Sequence, residues 1–297
     1  MDRRQLRFSL LLVLTALIWG TAFVAQSQAT DDVGPFTFNA ARLLVGGVVL
    51  LPCIRLLDRL RARNGEPPAA ARGPLLLGGV CCGTVLFIAS GFQQAGLAYT
   101  TVGKAGFITA LYIVLVPLLG ALVGRRAGPM LWVGVALAVA GMYLLCMTGE
   151  AGVNRGDLLC FACALFFTAH ILVIDRFSPM VDGVRMSCLQ FFVGGALSLI
   201  AMLIFEKPAW AQVRAAWFPI LYAGVLSSAV GYTLQIIAQK NVNPTLASLI
   251  MSLESVFSAL SGWVILGQTL TGRELLGCAL MFAAIILAQL PGKMRDS

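Results

Sequence analysis

Strongly apolar runs of about 18 residues or more recur along the whole chain, and no other feature limits its fold as severely. A helical run of that length crosses the ~30 Å hydrocarbon core of a bilayer. Ten spans are expected, at 6–28, 36–57, 74–97, 101–123, 130–147, 157–176, 186–205, 217–239, 244–266 and 274–291. Composition agrees, with 59% of residues hydrophobic and only 11% charged. Soluble domains average roughly 45–50% apolar and about 25% charged. The expected fold class is an all-α integral membrane protein that passes the bilayer ten times.

The N-terminal stretch MDRRQLRFSLLLVLTALIWGTAFVAQSQA imitates a secretory signal, with a basic start and small residues near Ala29. Its apolar part is too long for an ordinary signal, so an uncleaved first helix is expected. The formal charge of +8 is explained by membrane topology and not by nucleic acid. With the N-terminus inside, cytoplasmic segments hold fifteen Arg and Lys residues and the opposite side five. That excess puts both termini in the cytoplasm. No loop interleaves a basic patch with aromatics, which argues against a nucleic-acid partner. The eight cysteines all fall in or at the ends of apolar runs. Cys160 and Cys163 form a lone C-x-x-C, weak evidence for metal or redox chemistry without a second ligand pair. No cofactor is expected.

The two halves of the chain, 1–150 and 151–297, resemble each other. RLLVGGVVLL (42–51) matches QFFVGGALSL (190–199) at an offset of 148, which also lays WGTAFV (19–24) on FTAHIL (167–172). At an offset of 145, Gly83, Phe87, Ser90 and Gln94 fall on Ser228, Tyr232, Gln235 and Gln239. FITALYIVLVPLLG (107–120) lies near LIMSLESVFSALSG (249–262) at about 142. Five spans per half is an odd number, so the second half enters from the opposite side. Two inverted five-helix repeats are the layout of many secondary transporters.

The ordered set of WG at 19–20, GPFTFNAAR ending in Arg42, and AGLAYTTVGKAGFITALYIVLVP resembles the EamA-type transporters of the drug/metabolite transporter superfamily. The likeness covers nearly the whole chain. It implies two EamA-like repeats, spans 1–5 and 6–10, and a bacterial inner-membrane transporter of small solutes. Two positions depart from the family pattern. A frequent Leu-Gly-Glu after the ninth span reads Leu266-Gly267-Gln268, and a frequent proline after Glu254 is Ser255.

A charge near the bilayer centre costs roughly 2.5–3.5 kcal/mol on insertion scales, so such residues normally face protein or water. Arg42 is expected in the outer third of span 2, Lys104 near the outer end of span 4, His170 deep in span 6, and Glu254 near mid-depth in span 9. Helical spacing places Ser228, Tyr232, Gln235 and Gln239 in one stripe on span 8. Gly83, Phe87, Ser90 and Gln94 form its mate on span 3. Trp19 and Gln26 share a face of span 1; Cys163, Phe167 and His170 share one of span 6. The expected cavity is bordered by Trp19, Phe87, Gln94, Phe167, His170, Tyr232, Gln235 and Glu254, with Lys104 and Tyr112 available from span 4.

Bland readings stand beside each of these. Arg42 either hydrogen-bonds to neighbouring helices or selects solute. Lys104 either snorkels to the interface or contacts solute. His170 and the glutamines serve either as interhelical hydrogen-bond glue or as cavity lining. Gly79/Gly83 and Gly120/Gly124 have the spacing of close helix packing. Glu254 either exchanges a proton as access alternates or holds a cationic solute. Spans 5 and 10 carry almost no polar residues and are expected at the periphery or in a homodimer contact.

The chain lacks G-x-S-x-G, H-E-x-x-H and Walker-type signatures and has a single histidine, which argues against an enzyme or an ATP-driven pump. The expected function is secondary transport of a small polar or amphipathic metabolite by alternating access, as a facilitator, an exporter or a proton-coupled carrier. Aromatics beside Glu254 suit an amine, Lys104 and Arg42 suit a carboxylate, and the three together suit a zwitterionic amino acid.

Overall fold

The computed structural model describes residues 3–64, 72–100, 102–122, 128–146, 153–266 and 270–289, all helical or connecting. Gly124, Gly267, Gln268 and several of the basic residues that set orientation, Arg125 and Arg126 among them, lie outside the described residues. Helices α1 (Arg3–Ala29), α2 (Pro35–Arg63) and α3 (Arg72–Leu97) come first. Next are α4 (Val102–Thr109) and α5 (Tyr112–Leu122), followed by α6 (Pro129–Cys146), α7 (Arg155–Phe177) and α8 (Gly183–Phe205). The short α9 (Trp210–Ala215) leads into α10 (Trp217–Tyr222), a π-helical segment (Ala223–Tyr232) and α11 (Thr233–Gln239). The chain continues with α12 (Pro244–Met251), α13 (Glu254–Leu266) and α14 (Gly272–Gln289).

Among the described residues, eight helical segments are long and apolar enough to cross a membrane: Gln5–Ala29, Pro35–Arg63, Gly73–Leu97, Lys104–Leu122, Arg155–Met180, Gly183–Phe205, Trp217–Gln239 and Pro244–Ile265. The protein is therefore a multi-pass helical membrane protein. The other two expected spans fall on α6, a shorter apolar helix, and on α14, which has 18 residues. These two pack against each other. A Cβ on Gly141 would lie 2.8 Å from the Gly277 carbonyl oxygen, so the backbones touch where neither residue has a side chain.

The caps show why these segments begin where they do. Asn154 and Asp157 form a reciprocal capping box at α7. The Asp182 carboxylate caps α8 through the Arg185 amide, and Asn243 precedes Pro244 at the start of α12. Helix α2 begins differently. Its cap residue is Gly34, and the Glu206 carboxylate from the far end of α8 occupies the space a side chain would take. Glu206 accepts from the Phe36 and Thr37 amides at 2.9 and 2.8 Å and from the Thr37 hydroxyl at 2.6 Å. At the opposite ends of the same two helices, Arg61 pairs with Asp182, and Arg185 with Asp58 at 2.6 Å. This antiparallel pair defines two ends of the bundle. The first end carries the α1–α2 connection and Glu206; the second carries Asp58, Arg61 and the α7–α8 connection.

Pairing of the helices is dominated by contacts between the two halves of the chain: α6 with α14, α3 with α7, α2 with α8, and α1 with α13. Gly83 of α3 lies so close to α8 that a Cβ there would be 2.6 Å from the Gln190 carbonyl oxygen. Gly20 does the same for α1, where a Cβ would be 2.6–2.8 Å from Phe257, the Glu254 carbonyl oxygen and the Ser258 nitrogen. That contact explains the WG dipeptide, in which glycine seats α1 on α13 and tryptophan turns inward.

Two expected spans are broken near their middles, at Ala110–Leu111 and at Ser252–Leu253. The amides of Ala110, Leu111, Ile113 and Leu115 donate to the carbonyls of Gly106, Ile108, Ala110 and Leu111. The amides of Ser252, Leu253, Ser255 and Phe257 donate to those of Ser248, Ile250, Ser252 and Leu253. These four bonds recur 142 positions later, so the local backbone geometry is closely repeated, although the Val114 amide bond to Leu111 belongs to the first break alone among the described residues. In each break i→i+3 bonds tighten the helix.

The candidate solute cavity

A small, partly open cavity of about 30 Å³ lies between α1, α2, α3, the two broken spans, α7 and the π segment. It is lined by Trp19, Phe23, Gln26, Arg42, Gln93, Thr109, Tyr112, Phe167, Ser227, Tyr232 and Glu254. Most of these sit between mid-bundle and the first end.

Arg42 reaches the cavity from the second turn of α2 and is 2% exposed. Its Nε donates to Asn39 Oδ1 at 2.7 Å, and Asn39 in turn donates to the Ser90 carbonyl at 3.0 Å. The guanidinium carbon also lies 5.8 Å from the Phe38 ring centroid. The side chain is thus held by its own helix and by an aromatic face, with no carboxylate on it among the described residues.

Glu254 is the first residue of α13, directly after the break, and is 4% exposed. Its Oε1 accepts from the Tyr112 hydroxyl at 3.0 Å. Tyr112 is the first residue of α5, directly after the other break. Discontinuous helices at the site are a recurring feature of secondary transporters.

The aromatic wall is built on the π segment. Trp19 and Tyr232 have ring centroids 4.7 Å apart, and the Trp19 indole donates to the Ser227 carbonyl at 3.2 Å. Wider π-helical turns put Ser227, five residues before Tyr232, on the cavity. Ser228, chosen by α-helical spacing, instead packs against Gly46 of α2.

Of the residues expected at the site, Trp19, Arg42, Tyr112, Phe167, Tyr232 and Glu254 meet at the cavity, and five others do not line it. Phe87 packs on Phe36, with centroids 6.2 Å apart. Gln94 is buried and donates to the Gln26 carbonyl at 3.1 Å. Lys104 neither snorkels nor reaches the cavity, because Asp157 of α7 binds its Nζ at 2.6 Å. Thr100 donates to the same carboxylate at 2.7 Å. His170 bonds Gln190 at 3.0 Å, toward the second end, and Gln235 is buried on the same side. Phe23, Gln93 and Thr109 were not anticipated. Phe23 lies one turn beyond Trp19 and Thr109 one turn before Tyr112, so longer stripes would have included them.

Comparison with known proteins places this arrangement in context. The pattern of the EamA-like transporter family matches twice, at residues 6–147 and 154–290. An uncharacterized transporter of Archaeoglobus fulgidus is 31% identical over 288 residues, covering 97% of this chain and 87% of its own. The threonine/homoserine exporter RhtA of Escherichia coli K12 is 33% identical over 282 residues, covering 93% and 88%. A crystal structure with 22% sequence identity shares the fold, with a TM-score of 0.79 over 96% of this chain and 98% of that one. With both halves matched by the family pattern and relatives above 30% identity along nearly its whole length, the chain belongs to the EamA-like transporter family.

Proposed function

We propose that the protein is a secondary transporter of small zwitterionic metabolites, amino acids and their close relatives, working by alternating access. The observation that carries this reading is that one cavity is lined by a guanidinium, Arg42, a carboxyl group, Glu254, and several aromatic rings. A solute carrying both a carboxylate and an ammonium group complements both. RhtA, a relative at 33% identity, is named for export of two such solutes.

Alternating access needs two related halves. The backbone bonding repeated 142 residues apart supports an inverted repeat with halves 1–150 and 151–297. A pair of side-chain bonds supports it too. Gln94 donates to the carbonyl of Gln26, and Gln239 to that of Ile171, each across 68 residues and with both partners shifted by 145. In this reading α6 and α14 complete ten spans, and their apolar outer faces meet lipid or a second copy of the chain. The excess of basic residues supports both termini on the cytoplasmic face of a bacterial inner membrane, which puts the first end, the one nearer the cavity, outside.

Counterflow in liposomes containing the purified protein tests the proposal. Labelled neutral amino acids should exchange, while matched amines lacking the carboxylate and acids lacking the amine should exchange at least tenfold more slowly. Equal exchange of all three classes, or none of any, would overturn it.

A further inference from the structure

The cavity stops near mid-bundle, but polar side chains continue beyond it. Toward the second end, α7, α8 and α11 bring His170, Gln190, Gln235 and Gln239 into the interior, each no more than 3% exposed. Among the described residues, every one of them keeps a polar atom with no hydrogen-bond partner: His170 Nδ1, Gln190 Nε2, Gln235 Oε1 and Gln239 Oε1. Buried polar groups in folded proteins are nearly always paired, and an unpaired one destabilises. Four on three neighbouring helices are expected where water or a polar solute arrives in another conformation.

What separates His170, Gln190 and Gln235 from the second end is apolar; Gln239, the last residue of α11, lies beyond Ile236 on that side. One turn further along α7 and α8 stand Ile174 and Met186, which pack with Cys82, Val181 and Ile236 in a buried plug. Beyond the plug lie the pairs Arg61–Asp182 and Arg185–Asp58. On the cavity side the cluster is bounded by Tyr232, whose ring centroid is 5.7 Å from that of His170.

We propose that His170, Gln190 and Gln235 line a second solute site, closed in this conformation, that opens to the second end past Gln239 when the apolar plug parts. The inference rests on the transport reading and adds the other half of the route. Its chemistry differs from that of the open cavity. The position matching Arg42 is Gln190, so the second site offers amide and imidazole groups and no fixed charge. It recognises a carboxylate, hydroxyl or amide of the solute by hydrogen bonds alone, and holds a zwitterion less firmly than the Arg42–Glu254 cavity does.

The test uses the full chain in membrane vesicles of known sidedness, with a membrane-impermeant thiol reagent, methanethiosulfonate ethyltrimethylammonium. Modified peptides are identified by mass. Ser227→Cys reports the cavity and Gln235→Cys the second site. Adding Met186→Ser to open the plug should raise modification of Gln235→Cys at least tenfold, from the membrane face opposite the one that reaches Ser227→Cys. Ile174→Ser opens the plug independently and replaces Met186→Ser if that variant fails to fold, judged by retained labelling of Ser227→Cys. Modification of Gln235→Cys from the same face as Ser227→Cys overturns the proposal. So does the lack of any rise in plug variants that still label at Ser227→Cys. Labelling reads access and not flux, so absence of amino-acid exchange would refute the transport reading without deciding this result.

Discussion

Tyr112 and Glu254 each begin a half-helix directly after a break of closely similar backbone geometry, 142 positions apart, and the tyrosine hydroxyl donates to the carboxyl oxygen at 3.0 Å. The two broken spans are therefore joined at their matching points, inside the cavity. Glu254→Gln keeps the shape and an acceptor for Tyr112 but removes the group that can ionise and pair with a solute ammonium. Hydrogen bonds to charged groups contribute about 1.5–3 kcal/mol. Loss of one to a solute ammonium should weaken zwitterion binding by about tenfold or more. Tyr112→Phe leaves the carboxyl group in place and should cost only a few-fold. Isothermal titration with a transported amino acid checks the order of the two effects; an unchanged affinity in Glu254→Gln would make the carboxyl structural.

Arg42 gives the complementary prediction. Arg42→Gln installs the side chain that stands at the matching position, 190. It should reduce affinity for amino acids by about tenfold or more while leaving the weak binding of matched amines within about twofold. Competition against a labelled amino acid in liposomes reads both numbers at once.

Gly20 predicts a packing defect with a functional echo. In Gly20→Ala the new Cβ meets backbone atoms of α13 at 2.7–2.8 Å, and backbone cannot rotate away as a flexible side chain would. Overpacking of this kind costs about 1–3 kcal/mol. The thermal midpoint in detergent should fall by several degrees. Solute affinity should fall with it, because the displaced atoms belong to Glu254 and its neighbours.

The second end supplies a pH dependence. Burial alone raises the Asp182 pKa, but the Arg185 amide and the Arg61 guanidinium outweigh it and hold the carboxyl below its ordinary value. A folded pKa below the unfolded value of about 3.9 means that the stabilisation is complete above that value and lost as pH falls through the lower, folded one. Asp182→Asn should therefore lower the thermal midpoint at pH 7. The difference from the unaltered protein should close as pH drops below about 4. Asp182→Ala also removes the α8 cap and should cost about 1 kcal/mol more at neutral pH.

The sequence made the membrane class and the internal likeness legible because both are carried by side-chain chemistry over long runs. It also pointed to six residues that converge on the cavity. What it concealed was backbone irregularity. Neither Ala110–Leu111 nor Ser252–Leu253 contains glycine or proline, so nothing marks the breaks. The π segment is equally unmarked, and a ten-residue change of helical pitch rotates the polar stripe enough to exchange Ser228 for Ser227. On α3 the likeness of Gln94 to Gln239 favoured a residue that bonds a carbonyl of α1, while Gln93 beside it faces the cavity. Lys104 looked like an interfacial cation because its partner, Asp157, lies 53 residues away and opens another helix.

Because the principal helix pairs each take one member from either half of the chain, the first half is made before it has anything to fold against. At about 5–20 residues per second, α1 to α6 wait on the order of ten seconds for the helices that complete them. During that interval Arg42 lacks Tyr232 and Lys104 lacks Asp157. Biosynthesis must shelter these polar side chains from lipid until the second half arrives, and a fragment ending near residue 150 should be recognised as unfinished and degraded.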